Sequence, residues 1–502
     1  MAVDIRTTPE AIFECAPEMV VDAAGPFQFC GNDPYIIPRL CLEHGADYLD
    51  LSDDAGFTAG FAVLDRQARE GGRRLLSGAS SVPGIASAVA ADLCDGFDEI
   101  LLIDTAILPG NRAPRGASVI AGIVGQLGTA SPVWRGGIWR NQPCWSDARP
   151  VRLAAGLVRT GRFIEVPDIR LFPHFFGARS VMFRAGMELG VLNAAMCGFA
   201  VVRRHWPFEI TPRRARLFQW IANLFLPFGT DRGGMRVAVV GRAGETVIRR
   251  EWRLVAEAGD GPYIPAVAAR TLTRRLAKVR PGARACLAEA TRAEIEDAMT
   301  DLAVSTEIEE APCPTLFQAA LAERWDRLPR EVQILHGVHD VESFSGTARV
   351  TRGASIMARF AARVFGFPPA AEAVPVTVTM TRTETGEIWE RNFGGRVFRS
   401  HCTPSDTQYR YRERFGLFEF ELDLVVAAGS MRLPVRRGWF LGIPLPGILL
   451  PKSDSREYAR DGIFHFDVGL GAPLDGGPIV RYQGQLRPDR GSPEPLADFS
   501  GD

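Results

Sequence analysis

The sequence predicts a multidomain α/β and α+β chain: a small parallel sheet flanked by helices, a mixed α/β region, and a terminal antiparallel β-rich domain with one packed helix. Two patterns carry this. Between Met19 and Leu76 short apolar runs alternate with amphipathic helical stretches, which calls for right-handed crossovers and a parallel sheet. Beyond Ala311-Pro312-Cys313-Pro314, read as a linker, segments that alternate apolar with polar residues follow closely on one another, as antiparallel strands with one dry and one wet face do.

The elements follow in order. Val3-Asp4-Ile5 reads as a strand, and Thr8 and Pro9 are the cap and first residue of a helix reaching Cys15. Residues 19–23 form an apolar run too short for a helix, broken by Gly25-Pro26, as expected of a buried parallel strand ending at a sheet rim. Tyr35, Ile36, Leu40 and Cys41 stripe the next helix, and Gly45 stands at its left-handed cap. A strand at 48–51, a helix carrying Phe57, Phe61, Leu64 and Ala68, a Gly71-Gly72 stop and a strand at 73–76 complete the unit. Further on, 86–94 and 118–127 read as helices and 99–103, 235–240 and 247–255 as strands. In the terminal region Met357, Phe360, Ala361, Val364 and Phe365 share one helical face, predicted to pack on the dry side of strands at 376–380, 388–393, 409–415, 418–424, 431–435, 463–468 and 479–486.

At 502 residues with 46% hydrophobic residues, the chain is long enough for about three domains of ~150 residues. The expected boundaries are 1–105, 106–311 and 312–490, with a disordered tail at 491–502. A formal net charge of -1 excludes a nucleic-acid binder that works by phosphate neutralisation. Nine cysteines without a C-x-x-C pair read as reduced thiols of a cytoplasmic protein, and no basic stretch followed by an apolar core marks a secretory signal.

Val20-Val21-Asp22-Ala23-Ala24-Gly25-Pro26-Phe27, Asp47-Tyr48-Leu49-Asp50-Leu51-Ser52 and Ser77-Gly78-Ala79-Ser80-Ser81-Val82-Pro83-Gly84 resemble consecutive strand ends of the saccharopine-dehydrogenase-like reductases. The resemblance covers roughly residues 1–310 and implies a partial Rossmann-like domain followed by a substrate domain. It also implies an NAD(P) cofactor beside Ala24, Gly25, Pro26, Phe27, Gly78 and Ala79, and hydride transfer to a small or lipid-like substrate. No G-x-G-x-x-G loop precedes Met19, so the pyrophosphate anchor of such a domain is not expected in this chain. Tyr48 and Asp50 are the candidate catalytic residues. Asp50, Asp53 and Asp54 lie at the rim, where a carboxylate serves proton transfer or, the preferred reading, caps the following helix.

Leu328-Pro329, His336-Gly337, Phe393-Gly394-Gly395, Gly442-Ile443-Pro444-Leu445-Pro446 and His465-Phe466-Asp467-Val468 resemble a bacterial domain of unknown function found fused behind saccharopine-dehydrogenase-like domains. A packed core is preferred there over an apolar ligand cradle with residues 439–451 as lid. The cradle is the basis of the alternative function, a non-enzymatic ligand-binding or interaction protein. His336 and His339 stand one helical turn apart, but no third ligand accompanies them and no metal site is assigned. Residues 187–202 read as a buried helix. Residues 213–228, basic at one end and aromatic beyond, read as a core helix with a solvated start in preference to a helix making peripheral membrane contact.

Overall fold

The computed structural model describes residues 8–25, 27, 33–114, 116–208, 210–473 and 477–493. Two compact units result: one comprises the chain up to Trp134 together with Trp139–Pro312, the other Arg135–Ile138 with Cys313–Ser492. The strand predicted at Val3-Asp4-Ile5 and residue Pro26 fall outside the described residues.

The first unit has two principal sheets. β1 (Met19–Asp22), β2 (Asp47–Asp50) and β3 (Arg74–Ser77) are parallel neighbours. Next in the chain come β4 (Glu99–Leu108), the hairpin β5 (Ala130–Arg135) and β6 (Ile138–Pro143), β7 (Arg149–Ala154), β8 (Leu157–Phe163) and β9 (Val181–Ala185). They are followed by β10 (Gly233–Ala243), β11 (Thr246–Ala256), β12 (Gly282–Ala285) and β13 (Val304–Pro312). β12 joins β3 in parallel, so a segment some two hundred residues downstream completes the sheet order β1-β2-β3-β12. The second sheet, β13-β11-β10-β4-β9-β8-β7, is mixed: β4 and β9 run parallel, the other pairs antiparallel.

Local signals account for the first unit. The helix Ile36–His44 ends at Gly45 with φ 70, whose amide reaches Cys41 and Leu42 carbonyls. Asp54 accepts the Phe57 amide at the start of the next helix, so of the three rim carboxylates this one is a cap. Two expectations of burial fail. In the helix Gly190–His205 only Leu192 and Asn193 are buried, and in the helix Pro212–Leu224 the side chains of Leu217, Trp220, Ile221 and Leu224 are exposed. Of the second helix, the face carrying Phe218 meets Phe199 at 4.9 Å, whereas the stripe of Leu217, Trp220, Ile221 and Leu224 is left in solvent.

The second unit is a closed barrel. Its strands are β14 (Val341–Arg352), β15 (Ala371–Arg382), β16 (Glu387–Phe393), β17 (Arg396–Pro404), β18 (Arg410–Phe415), β19 (Phe418–Asp423), β20 (Val425–Ala427), β21 (Ser430–Arg432) and β22 (Val435–Phe440). Then come β23 (Ile443–Pro444), β24 (Lys452–Arg460), β25 (Ile463–Gly471) and β26 (Pro478–Pro488). β14 to β19 form an antiparallel meander, and β24, β25 and β26 return to pair with β14. β21 pairs with β24 while β22 pairs with β19, and the two are halves of one stretch. Leu433 donates to Ser455 and Asp423 to Pro434, continuing both ladders through the junction. The stretch Ser430 to Phe440 therefore bridges the two ends of the sheet and leaves no open edge between them.

The helices of this unit serve the barrel ends. Leu316–Leu321, opened by a capping box of Thr315 and Gln318, and Arg330–His336 precede β14, whereas Ile356–Val364 follows it. The last of these differs from expectation. Ala358 is fully buried, but Phe360 is 70% exposed and Ile356 78%, so the predicted inward face carries Phe360 outward. Of the predicted face, Phe365, just past the helix end, does pack against the core, next to Phe367. Phe360 lines an open hollow beside the helix, together with Arg359, Arg363 and Phe367, in place of entering the core.

The seam between first and last strands sets the tightest demand. A Cβ on Gly346 would stand 1.9 Å from the Gln485 carbonyl oxygen across the β14–β26 ladder. Gly346→Val is expected to destabilise the barrel by about 1–3 kcal/mol, the usual range for overpacking. Amide hydrogen exchange of the full chain should show faster exchange in β14 and β26; unchanged protection would mean that the seam has slack.

Candidate functional site

The barrel encloses a cavity of about 190 Å³. Its wall follows from strand alternation. Trp389, Arg391 and Phe393 project inward from β16, Tyr411, Glu413 and Phe415 from β18, and Phe464, Phe466, Val468 and Leu470 from β25. Phe317 and His336, from the helices before β14, line one end, with ring centroids 4.0 Å apart. Phe365 and Phe367 line the other, where Phe365 meets Phe415 and Phe418 across the β18–β19 turn. Around that end Leu417, Leu441 and Ile443 are exposed. Residues 439–451 supply a short strand and a turn there, and Pro451 reaches the cavity wall.

A few polar groups interrupt the apolar wall. Arg391 donates to Glu413 at 2.9 Å and to Ser400 at 2.8 Å, and the Ser400 hydroxyl donates to Glu413 at 2.7 Å. The Tyr411 hydroxyl donates to the other Glu413 oxygen at 3.3 Å. Burial works against the Arg391 charge, but the Glu413 carboxylate beside it more than offsets this and holds the guanidinium above its usual range. The cavity thus carries a buried pair of charges that cancel.

Two further groups retain unused hydrogen-bonding capacity. His336 Nε2 lies 2.6 Å from Glu457, while its Nδ1 is buried without a partner. Tyr482, packed on Phe393 at 5.1 Å, has a buried hydroxyl with no partner. Burial pushes its phenol pKa upward, so it stands in the cavity wall as a neutral donor. His339, the second histidine of the sequence pair, lies outside the cavity lining.

The second candidate location is the rim of the parallel sheet. Because β1, β2 and β3 are parallel, Ala24, Gly25 and Phe27 after β1 share one edge with Gly78 and Ala79 after β3. The candidate residues Tyr48 and Asp50 lie on β2 between them. Tyr48 is fully buried, stacked on Phe61, with its hydroxyl 3.3 Å from Asp22. Asp22 also accepts the Ala24 amide at 2.8 Å. Phe27 is buried against Phe57. Asp50 Oδ1 accepts the Gly78 amide at 2.7 Å, the Ser52 amide at 2.9 Å and the Ser77 hydroxyl at 3.1 Å. The Ala79 amide donates to the Asp50 carbonyl at 2.7 Å. Gly78 has φ 79, and a Cβ on it would stand 2.4 Å from Pro83 Cδ, so glycine is required there by its own chain. The carboxylate therefore laces two neighbouring turns together, with Oδ2 buried and unpartnered.

Sequence reasoning named none of the polar cavity residues as site residues. The signal available was phase: Arg391 stands between Trp389 and Phe393, and Glu413 between Tyr411 and Phe415, at inward positions of alternating strands.

Residues 328–486 match the family described as a domain of unknown function, DUF4166. No curated protein matches the chain. Among solved structures, the homospermidine synthase of Legionella pneumophila in complex with NAD is 10% identical, with a TM-score of 0.37, covering 62% of this chain and 80% of that one. GenD2 from gentamicin A biosynthesis in complex with NAD is 13% identical at a TM-score of 0.24, covering 61% and 81%. A DUF3598 protein of unknown function from Nostoc punctiforme is 10% identical at a TM-score of 0.21, covering 52% and 67%. Likeness at this level assigns no activity.

Asp50 gives a pH signature. Burial pushes its pKa up to about 7, against hydrogen bonds that favour the charged form. In the unfolded chain it titrates near ~3.9, so between the two values the unfolded state binds fewer protons than the folded one. Stability is expected to fall as pH rises from about 4 to about 7 and then level off. In Asp50→Asn that fall should shrink, as followed by urea midpoints across this range; an identical slope would show that Asp50 is ionised throughout.

Proposed function

We propose that the barrel unit binds an apolar small molecule bearing an oxygen function, of the fatty-acyl or isoprenoid kind. The enclosed cavity carries this reading: about 190 Å³ walled by aromatic and aliphatic side chains is far more than one water occupies. Its chemistry favours a ligand with a long apolar body, and the unpartnered Tyr482 hydroxyl suits a carbonyl, hydroxyl or carboxylate oxygen. With Arg391 satisfied by Glu413 and Ser400, the wall neither demands nor repels a fully charged ligand.

Titration of the full chain with cis-parinaric acid tests this. Saturable uptake with micromolar affinity is expected. Ser455→Phe, which places a ring into the cavity from β24, should weaken uptake at least tenfold without loss of secondary structure. Absence of uptake by the folded protein would end the reading.

A second reading, NAD(P)-dependent hydride transfer to a small or lipid-like substrate by the first unit, is favoured by one observation, the shared rim of the turns after β1 and β3. It draws on the sequence resemblance to saccharopine-dehydrogenase-like reductases. The amides of Gly78 and Ala79 are already taken by Asp50, so this rim offers little to a pyrophosphate. Calorimetric titration with NADH and NADPH is expected to show affinity weaker than micromolar; tight binding of either would return the first unit to the dehydrogenases.

A further inference from the structure

The helices Gly190–His205 and Pro212–Leu224 present an apolar face to solvent that no neighbour covers within the unit. Leu217, Trp220, Ile221 and Leu224 recur at the spacing of one helical stripe, and all four are exposed, with Trp220 at 60%. The opposite side, through Phe218, packs on Phe199. Trp206, between the helices, is 70% exposed, and Phe228, after the second, 61%. A globular surface seldom leaves two tryptophans, a phenylalanine and three aliphatic residues together in water.

Charge identifies the occupant. Residues 189–230 hold five arginines, at 203, 204, 213, 214 and 216, against one acid, Glu209. Of these, Arg203 is turned inward, donating to the carbonyls of Val124, Gly125 and Leu127, while Arg204, Arg214 and Arg216 carry charge at the exposed surface. Arg214 and Arg216 fall on either side of the apolar stripe, near the helix start that Thr211 caps. A second copy of the chain docked by twofold symmetry would set these arginines against their own equivalents. An apolar face with interfacial tryptophans and flanking guanidinium groups fits instead the headgroup boundary of an anionic bilayer. Among the described residues no helix is long and apolar enough to cross a membrane, so the helices would lie on the surface.

We infer that this helix pair docks the first unit onto anionic lipid bilayers, peripherally and reversibly. The inference is independent of the barrel's ligand.

Sedimentation of the full chain with vesicles tests it, using phosphatidylcholine alone or mixed with phosphatidylglycerol. Binding to the mixed vesicles is expected, at least tenfold tighter than to phosphatidylcholine and weakened by salt. The double variant Trp220→Ser, Leu224→Ser alters only exposed side chains and should abolish most of that binding while leaving parinaric-acid uptake unchanged. No sedimentation with anionic vesicles, equal binding to both compositions, or full binding by the double variant would each overturn the proposal. Self-association of the parent that the double variant abolishes, without vesicle binding, would make the face an interface between copies of the chain.

Discussion

Closure of the barrel by the stretch Ser430 to Phe440 governs the second unit. One strand that pairs through its first half with β24 and through its second with β19 removes both sheet edges at once. Every strand then has a fixed phase, because a slip of one residue would turn its aromatic side chains into water and its charges into the interior. The cavity is a consequence. Side chains just fill a barrel of about eight strands. Here nine strands, β14 to β19 and β24 to β26, and the composite bridging strand enclose a wider interior than even Phe464, Phe466 and Trp389 can occupy.

That interior tolerates charge only because the charge is arranged. Arg391 alone would be costly to bury; fixed by Glu413 and Ser400 it becomes a dipolar patch on an otherwise greasy wall. The rim of the first unit uses burial in another way. Asp50 is held by two backbone amides and a serine hydroxyl instead of a guanidinium. One arrangement leaves a lined space; the other fastens two turns.

Much of this was legible in the chain. The apolar runs of β1 to β3 and the cap at Gly45 emerge within about a residue of where punctuation and periodicity put them. Alternation disclosed β15, β16, β18, β19, β25 and β26, whose inward residues are mostly large and apolar. It missed β14, β17 and β24, where Gly346, Ser343, Ser400, Ser453 and Ser455 take inward or buried positions and erase the contrast. β12 was hidden for a different reason: four residues, Gly-Ala-Arg-Ala, owe their strand state to an edge presented by β3 from far away in sequence. The helix faces failed most plainly. Periodicity reports that Phe360 and Trp220 lie on apolar stripes, but it cannot report whether the fold supplies anything to cover them.

The pairing of β14 with β26 has a topological consequence. Phe344, near the start of the barrel, lies opposite Pro488, near its end. The first and last long strands of the barrel thus lie one inter-strand spacing apart, about 5 Å. A barrel whose first and last strands are neighbours can be cut at a distal turn and rejoined at the seam without stretching its ladder.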